Sequence, residues 1–219
     1  MIKRGLFWSG LLLAIAVSAS FYASRTVPPD TLVPAHFNLR GEADRYAPFG
    51  VLVWVVPAVI AGLNVALAAL PLLDPRKDNL RRSAGLYLTG WIGGTFIATA
   101  AHLAVMYAAV TGDAPEVRFI FAAAGLVVAV IGNFLAKSRS NWFAGVRTPW
   151  TLSSEHAWVI ANRIAGWGFV LTGLATVAAS LLSSTPETAL VLTAGVLASA
   201  LVAVVASYFA WRADPDRTV

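Results

Sequence analysis

The sequence contains no cysteine and few charged residues. The absence of cysteine excludes a disulfide scaffold, a thiolate metal site and a cysteine nucleophile. Charged residues make up 12% of the chain, about half of the share found in an ordinary soluble domain. None of the long apolar segments contains Asp or Glu. A transporter coupled to protons or cations is therefore disfavoured, because such proteins usually place a carboxylate within the membrane.

Apolar residues are abundant instead. They make up 58% of the 219 residues, and the mean hydropathy is +0.71. One soluble core has no room for so many apolar side chains, whereas a membrane-spanning helix needs about 20 of them in succession. We predict an all-α membrane protein, a bundle of six transmembrane helices. The predicted spans are residues 5–22, 51–73, 84–110, 119–136, 165–182 and 189–211.

The basic residues predict how the chain crosses the membrane. Twelve of the sixteen Lys and Arg residues fall in segments 1–4, 76–82, 137–163 and 212–217, which six spans place on one side. By the positive-inside rule, that side and both termini are cytoplasmic, in the plasma membrane. The basic residues form no stripe, so we expect no direct binding of nucleic acid. The alternative for residues 1–19 is a cleaved signal peptide, which would leave five spans in the same orientation.

The segment between the first two predicted spans, residues 25–48, predicts an outer hairpin or cap. Asn38 and Gly41 mark a turn. We name six candidate ligand-binding residues on this segment: His36, Phe37, Asn38, Gly41, Glu42 and Asp44. A site for a metal ion made of His36, Glu42 and Asp44 is the less favoured alternative, because their spacing matches no established metal site.

The segment between the fourth and fifth spans, residues 137–154, is called the aromatic loop below. We expect its rings, with Trp158 beyond it, to lie at the membrane interface, where a ring is half wet. Ser153 is a candidate cap for a helix that leads into the fifth span. Arg147 and Glu155 flank the Thr148-Pro149 turn and are expected to pair.

Polar residues are rare within the predicted spans, and most are expected to join helices. Hydrogen bonds between helices are predicted for Asn64, His102 and Asn133, because a polar group in lipid needs a partner. Gly90 and Gly94 form a G-x-x-x-G pattern, which is typical of close helix packing.

Residues in and around the aromatic loop resemble the SdpI family of bacterial membrane proteins. The resemblance rests on a long, spaced pattern, from which we take a motif that is structural or involved in signalling. The motif residues are Asn133, Asn141, Gly145, Arg147, Thr148, Pro149, Trp150, Thr151, Glu155, Trp158, Asn162 and Arg163. Lys137, Leu152 and Gly166 also match. Asn162 departs from members that have His there, which puts a role for an imidazole in doubt.

The resemblance also implies a division of the chain. Residues 76–219 look like an SdpI region of four helices. Residues 1–75, with Pro34, His36, Phe37, Asn38, Gly41, Asp44 and Pro57, resemble the small uncharacterised domain that often precedes it. Such proteins are named for immunity to a secreted toxic peptide, and some hold a transcriptional repressor at the membrane.

Three hypotheses for function follow. The first is a membrane protein that binds a toxic peptide or a similar ligand from outside and gives immunity, with a repressor as the inner partner and lipid around it. The second is a transporter of small molecules or lipids. The third, a membrane enzyme, would need His36 or His102 with Asp44 or Glu42, and no nucleophile–base pair supports it. We expect no catalytic residue, cofactor or metal.

Overall fold

A computed structural model describes residues 1–38, 40 and 42–217. Within that part of the chain, six helices are long and apolar enough to cross a membrane. They are α1 (Ile2–Ala23), α2 (Phe49–Leu73), α4 (Ala84–Thr111), α5 (Val117–Leu135), α7 (Glu155–Leu182) and α8 (Thr185–Ala213). The two shorter helices are α3 (Lys77–Arg82) and α6 (Pro149–Leu152). The prediction of an all-α protein that crosses the membrane several times is confirmed.

Two faces of the bundle carry different structures. A two-stranded antiparallel sheet, β1 (Leu32–Phe37) and β2 (Ala43–Pro48), follows α1. We call residues 32–48 the hairpin, and this side of the bundle the hairpin face. The opposite side, where α1 begins and α8 ends, carries the aromatic loop, α3 and α6, and we call it the loop face. The predicted folded hairpin between the first two spans is confirmed.

The hairpin stands on an apolar base. Val33 on β1 and Phe49 at the start of α2 are buried against Ala23 and Met106, which belong to α1 and α4. The backbone N–H of Phe49 donates to Thr31 O at 2.8 Å. The base therefore joins the hairpin to three spanning helices.

Glycines set the closest helix crossing. Helices α5 and α7 meet at Gly132 against Gly166 and at Gly125 against Gly173. A Cβ atom at Gly132 would lie 2.5 Å from the Gly166 carbonyl oxygen, which no side chain tolerates. Backbones approach this closely in lipid because small residues permit dispersion contacts along the whole crossing.

Two of the three polar residues predicted to join helices do so. Asn64 on α2 accepts hydrogen bonds from Trp91 Nε1, at 2.7 Å, and from Thr95 Oγ1, both on α4. His102 Nε2 lies 2.8 Å from Ser20 Oγ on α1. Because the Ser20 hydroxyl itself donates to Val53 O, His102 is the donor in that bond.

Asn133 is a correction. Its side chain is exposed and accepts from Lys137 Nζ at 3.0 Å, four residues further along the chain. No bond from Asn133 to another helix occurs within the described residues. The residue lies near the end of α5, where a polar group reaches the membrane surface and needs no partner from a second helix.

Candidate functional site

The hairpin brings four of its six predicted residues together. His36 Nδ1–H donates to Asp44 Oδ1 at 2.7 Å. Asn38 Oδ1 accepts from the backbone N–H groups of Arg40 and Glu42, and its Nδ2 donates to Glu42 Oε2 at 3.1 Å. The side chain of Asn38 therefore bonds to the described turn residues Arg40 and Glu42, as expected of Asn at a turn.

These polar groups remain open to solvent. The side chains of His36 and Asp44 are 59% and 43% exposed, so the pair is available to a ligand. The hydrogen bond from His36 lowers the pKa of Asp44 below its ordinary value, because it stabilises the carboxylate. Gly41 and the side chain of Phe37 lie outside the described part of the chain. Within that part, no group of three acidic or histidine side chains is placed to hold a metal ion.

Asn141 organises the aromatic loop. Its side chain is fully buried and makes four hydrogen bonds to backbone groups. Nδ2 donates to the carbonyls of Arg139 and Ala144, and Oδ1 accepts from the N–H groups of Phe143 and Ala144. An amide has two donor hydrogens and one acceptor oxygen with two lone pairs, so Asn141 is completely satisfied.

Gly145 is required where the loop meets α7. Its φ is +133°, a conformation that side chains with a Cβ rarely adopt. A Cβ atom there would lie 2.7 Å from the Trp158 ring and 2.8 Å from Asn162 Oδ1. Asn162 Oδ1 in turn accepts from the Val146 N–H at 2.7 Å. At position 162, where some members of the family that the sequence resembles have His, the Asn side chain therefore accepts a hydrogen bond from the loop backbone.

The Thr148-Pro149 turn starts α6 through a capping box. Thr148 Oγ1 accepts from the Thr151 N–H, and Thr151 Oγ1 accepts from the Thr148 N–H at 2.9 Å. Pro149 occupies the first turn, where its missing N–H costs nothing. Thr151 Oγ1 also donates to Val146 O, and Thr148 Oγ1 lies 3.1 Å from Ser207 Oγ on α8. The turn thus joins the loop to the last helix.

The connection between α2 and α4 holds the other side of the loop. Asp74 accepts from the Trp142 N–H, and Arg76 donates to Ser140 Oγ and to Leu152 O. Asn79 Nδ2 donates to Ser140 O at 2.9 Å. Sequence reasoning missed these contacts. The polar side chains at positions 74, 76 and 79 are the available signal, but a single sequence does not show which distant segment they contact.

A second missed anchor lies at the end of α8. Asp214 is buried and accepts a hydrogen bond from the Ser154 hydroxyl. That bond lowers the pKa of Asp214 below its ordinary value. Ser154 also caps α7 by accepting from the Ala157 N–H, so the cap is Ser154 rather than the expected Ser153. The helix after the loop runs continuously into the fifth span, as predicted.

Three expectations for the aromatic loop are wrong. Trp158 is fully buried rather than half wet, and its Nε1–H donates to Ser138 O at 3.1 Å. Arg147 is exposed and donates through one nitrogen to Trp142 O at 2.8 Å, and among the described residues no salt bridge joins it to Glu155. The third is the Ser153 cap. Trp158 is buried because the Gly145 backbone leaves room for its ring.

Of the remaining motif residues, some pack against neighbouring helices and others are exposed to solvent. Trp150 packs edge-on against Tyr208 of α8, with ring centroids 5.2 Å apart. Glu155 lies in the first turn of α7, where a negative charge is favourable. Arg163 is exposed beside Lys137 at the end of the α5–α7 crossing. Most polar side chains described above for the aromatic loop are thus bonded within the protein. On the hairpin, by contrast, hydrogen-bonded polar side chains are open to solvent.

Comparison with known proteins confirms the family resemblance. Residues 137–208 match the model of the SdpI/YfhL protein family, a stretch that contains the aromatic loop, α6, α7 and most of α8. A curated relative, the immunity protein SdpI of Bacillus subtilis strain 168, is 37% identical over 49 residues. That alignment spans 22% of this chain and about a quarter (24%) of the relative. No solved structure matches the chain.

Proposed function

Because residues 137–208 carry the SdpI/YfhL pattern, we propose that this chain is an immunity-type protein of the plasma membrane. In this proposal the hairpin faces outward and binds a secreted toxic peptide or a similar ligand. The loop face is cytoplasmic and relays the presence of the ligand to a regulator such as a transcriptional repressor. The bias of basic residues toward the loop face supports this orientation.

The observation that carries the proposal is the exposed polar set on the hairpin. His36, Asn38, Glu42 and Asp44 are held by hydrogen bonds to one another or to the turn backbone. Groups fixed in this way lose little conformational freedom on binding, which favours recognition. Polar side chains on an exposed loop that stands on a rigid base are typical of binding sites.

The hairpin also offers the largest surface on its face of the bundle. Helix α4 ends at Thr111 and α5 begins at Val117, whereas α7 ends at Leu182 and α8 begins at Thr185. Connections this short turn the chain without forming a surface. A peptide that arrives on this side therefore meets the hairpin first.

A continuous element connects the hairpin to the loop face. Helix α2 begins at Phe49, within the apolar base of the hairpin, and is followed by Asp74. Asp74 accepts from the Trp142 N–H in the aromatic loop at 3.2 Å. A ligand that shifts the hairpin base thus acts on one uninterrupted helix, and the residue after that helix bonds to the loop. A relay needs such an arrangement.

A deletion strain tests the proposal. Cells of the source organism without this gene are exposed to the peptide fraction of their parent's culture supernatant, with a complemented strain as the control. We expect killing of the deletion strain alone. Equal survival of the two strains at every dose would contradict a role in immunity.

A further inference from the structure

A basic cavity opens on the loop face, between the first helix and the α2–α4 connection. Its volume is about 660 Å³. The start of α1, the end of α2, α3 and the start of α4 enclose it. It is separate from the aromatic loop, because none of the described residues that line it belongs to positions 137–154.

Four cationic side chains line this cavity: Lys3, Arg4, Lys77 and Arg81. No acidic side chain is among the described lining residues. Arg81 has Asp78 at 3.5 Å, but both side chains are largely exposed, so water weakens their attraction. No ion pair involving Lys3, Arg4 or Lys77 occurs in the described part of the chain. The cavity is thus strongly positive.

The rest of the lining is apolar and lies at the edge of the membrane. Ile2, Leu72, Leu80 and Leu88 contribute most of it. Leu72 lies at the end of a spanning helix, and Leu88 lies a little more than one turn into the next one. An occupant that satisfies this lining needs an anionic group at the surface and a hydrocarbon chain that runs inward. A soluble anion would match the cationic side chains but not the apolar part of the lining.

We propose that this cavity binds an anionic phospholipid, with the phosphate among Lys3, Arg4 and Lys77 and an acyl chain against Leu72 and Leu88. Clusters of Lys and Arg at the cytoplasmic membrane surface attract anionic lipid, each side chain adding to the attraction. Here the cluster is combined with a cavity, so one lipid is held at a defined place. This inference does not depend on the immunity function.

A bound lipid would also connect separate elements. Lys3 and Arg4 belong to α1, whereas Lys77 belongs to α3. All three side chains are exposed, so water weakens the repulsion between them, and a phosphate bound by all three would connect the two helices. Phosphatidylglycerol is therefore expected to stabilise the packing of α1 against the rest of the bundle.

Lipid binding by the purified full-length chain in a neutral detergent tests the proposal. Phosphatidylglycerol and phosphatidylcholine with the same acyl chains are titrated separately, and bound lipid is counted by native mass spectrometry. The cavity variant carries Arg4→Gln and Lys77→Gln. The matched control carries Arg82→Gln and Arg139→Gln, which remove two exposed charges from the same face without lining the cavity.

We expect one phosphatidylglycerol per chain on the wild type and on the control, and at least tenfold weaker binding by the cavity variant. Phosphatidylcholine should bind the wild type no more tightly than phosphatidylglycerol binds the cavity variant. Equal weakening in both double variants would overturn the proposal, because it would indicate a general attraction between charges. Equal binding by all three proteins would also overturn it.

Two further probes keep the proposal testable if the cavity variant folds poorly. Leu72→Trp narrows the cavity at an exposed position without changing charge, and it too should weaken phosphatidylglycerol binding. Unchanged binding would contradict the cavity as the site. sn-Glycerol 3-phosphate has the anionic group without acyl chains and should bind far more weakly. Binding as tight as that of the lipid would contradict a lipid site and assign the cavity to a soluble phosphate.

Discussion

The hairpin and the aromatic loop differ in how far their polar side chains are buried. The hairpin is an antiparallel ladder whose register shifts on either side of His36, and its side chains His36 and Asp44 are about half exposed. The aromatic loop has one short helix, yet Asn141 within it is almost completely buried, as are Trp158 and Asn162 of α7 beside it. Burial and satisfied hydrogen bonds, rather than a repeating backbone pattern, determine what a substitution costs.

The difference predicts opposite mutational behaviour. In the aromatic loop the polar side chains replace the backbone partners that a helix or sheet would supply, so substitutions there should reduce stability first. On the hairpin the polar side chains bond to one another and to the backbone of the exposed turn, away from the bundle. Substitutions there should therefore change binding and leave the bundle folded. The predictions below test this contrast.

Asn141→Ala should have the largest effect. The substitution leaves two N–H groups and two carbonyl groups without their partner in a buried place, so we expect a loss of about 3 kcal/mol or more in the free energy of unfolding. Denaturant unfolding in detergent measures it. Asn133→Ala, at an exposed position of the same region, is the control and should stay within about 0.5 kcal/mol. Equal losses of unfolding free energy in the two variants would contradict the claim that buried, fully bonded side chains matter more for stability than exposed ones.

Gly145→Ala should rank second. The new Cβ atom meets the Trp158 ring, and the residue must keep a φ of +133°. We expect a loss of about 2 kcal/mol or more in unfolding free energy. Gly62→Ala is the matched control, because it lies within α2 with no atom within 4 Å of the added Cβ. A neutral Gly145→Ala would show that the loop is less rigid than its contacts indicate.

Arg147→Lys should leave stability within about 0.5 kcal/mol. The guanidinium is exposed and uses one nitrogen for one carbonyl, a bond that an ammonium group also makes. The informative measurement is survival of the toxin challenge beside the unfolding curve. Lost protection at wild-type stability would assign Arg147 to contact with an inner partner. A loss of more than about 1 kcal/mol in the free energy of unfolding would contradict the inference that Arg147 contributes little to folding.

The smallest effect concerns the pH dependence of the hairpin. Since the pKa of Asp44 is lowered by the hydrogen bond from His36, the pair stabilises the hairpin above the ordinary Asp pKa and loses that contribution as pH falls through the lowered value. The protection factors of the hairpin amides in hydrogen exchange, which allow for the slower intrinsic exchange in acid, should fall below about pH 4. Asp44→Asn should abolish the dependence. If the Asp44 carboxyl titrated at or above the ordinary pKa of Asp, the result would contradict the hydrogen bond between His36 and Asp44.

Hydrophobic runs predicted the fold well because lipid requires long helices whose backbone groups are all paired. The six spans and the turn at Asn38 follow from local patterns of this kind. Close packing was harder to predict. Gly90 and Gly94 match a packing motif, yet a Cβ atom at either would have no neighbour within 4 Å. The tight crossing uses glycines seven residues apart on α5 and α7, a spacing that has meaning only when the partner helix is known.

The aromatic loop shows where sequence reasoning stops. The resemblance selected Asn141, Gly145, Thr148 and Asn162, which the structure places in one hydrogen-bonded unit. The residues that anchor this unit, Asp74, Arg76 and Asp214, bond to Trp142, Ser140, Leu152 and Ser154 and lie far away in sequence. A single sequence gives no register between such distant segments. Trp158 was misplaced for the same reason, because its burial depends on the missing side chain of Gly145.

The triple variant His36→Ala, Asn38→Ala and Asp44→Ala tests the central claim most directly, when survival and unfolding are measured on the same protein. We predict that protection from the toxic peptide is abolished while the free energy of unfolding stays within about 1 kcal/mol of wild type, because these side chains lie outside the apolar base. A large loss of stability would show that the hairpin serves only to close the bundle. Normal protection at normal stability would contradict the hairpin as the binding site.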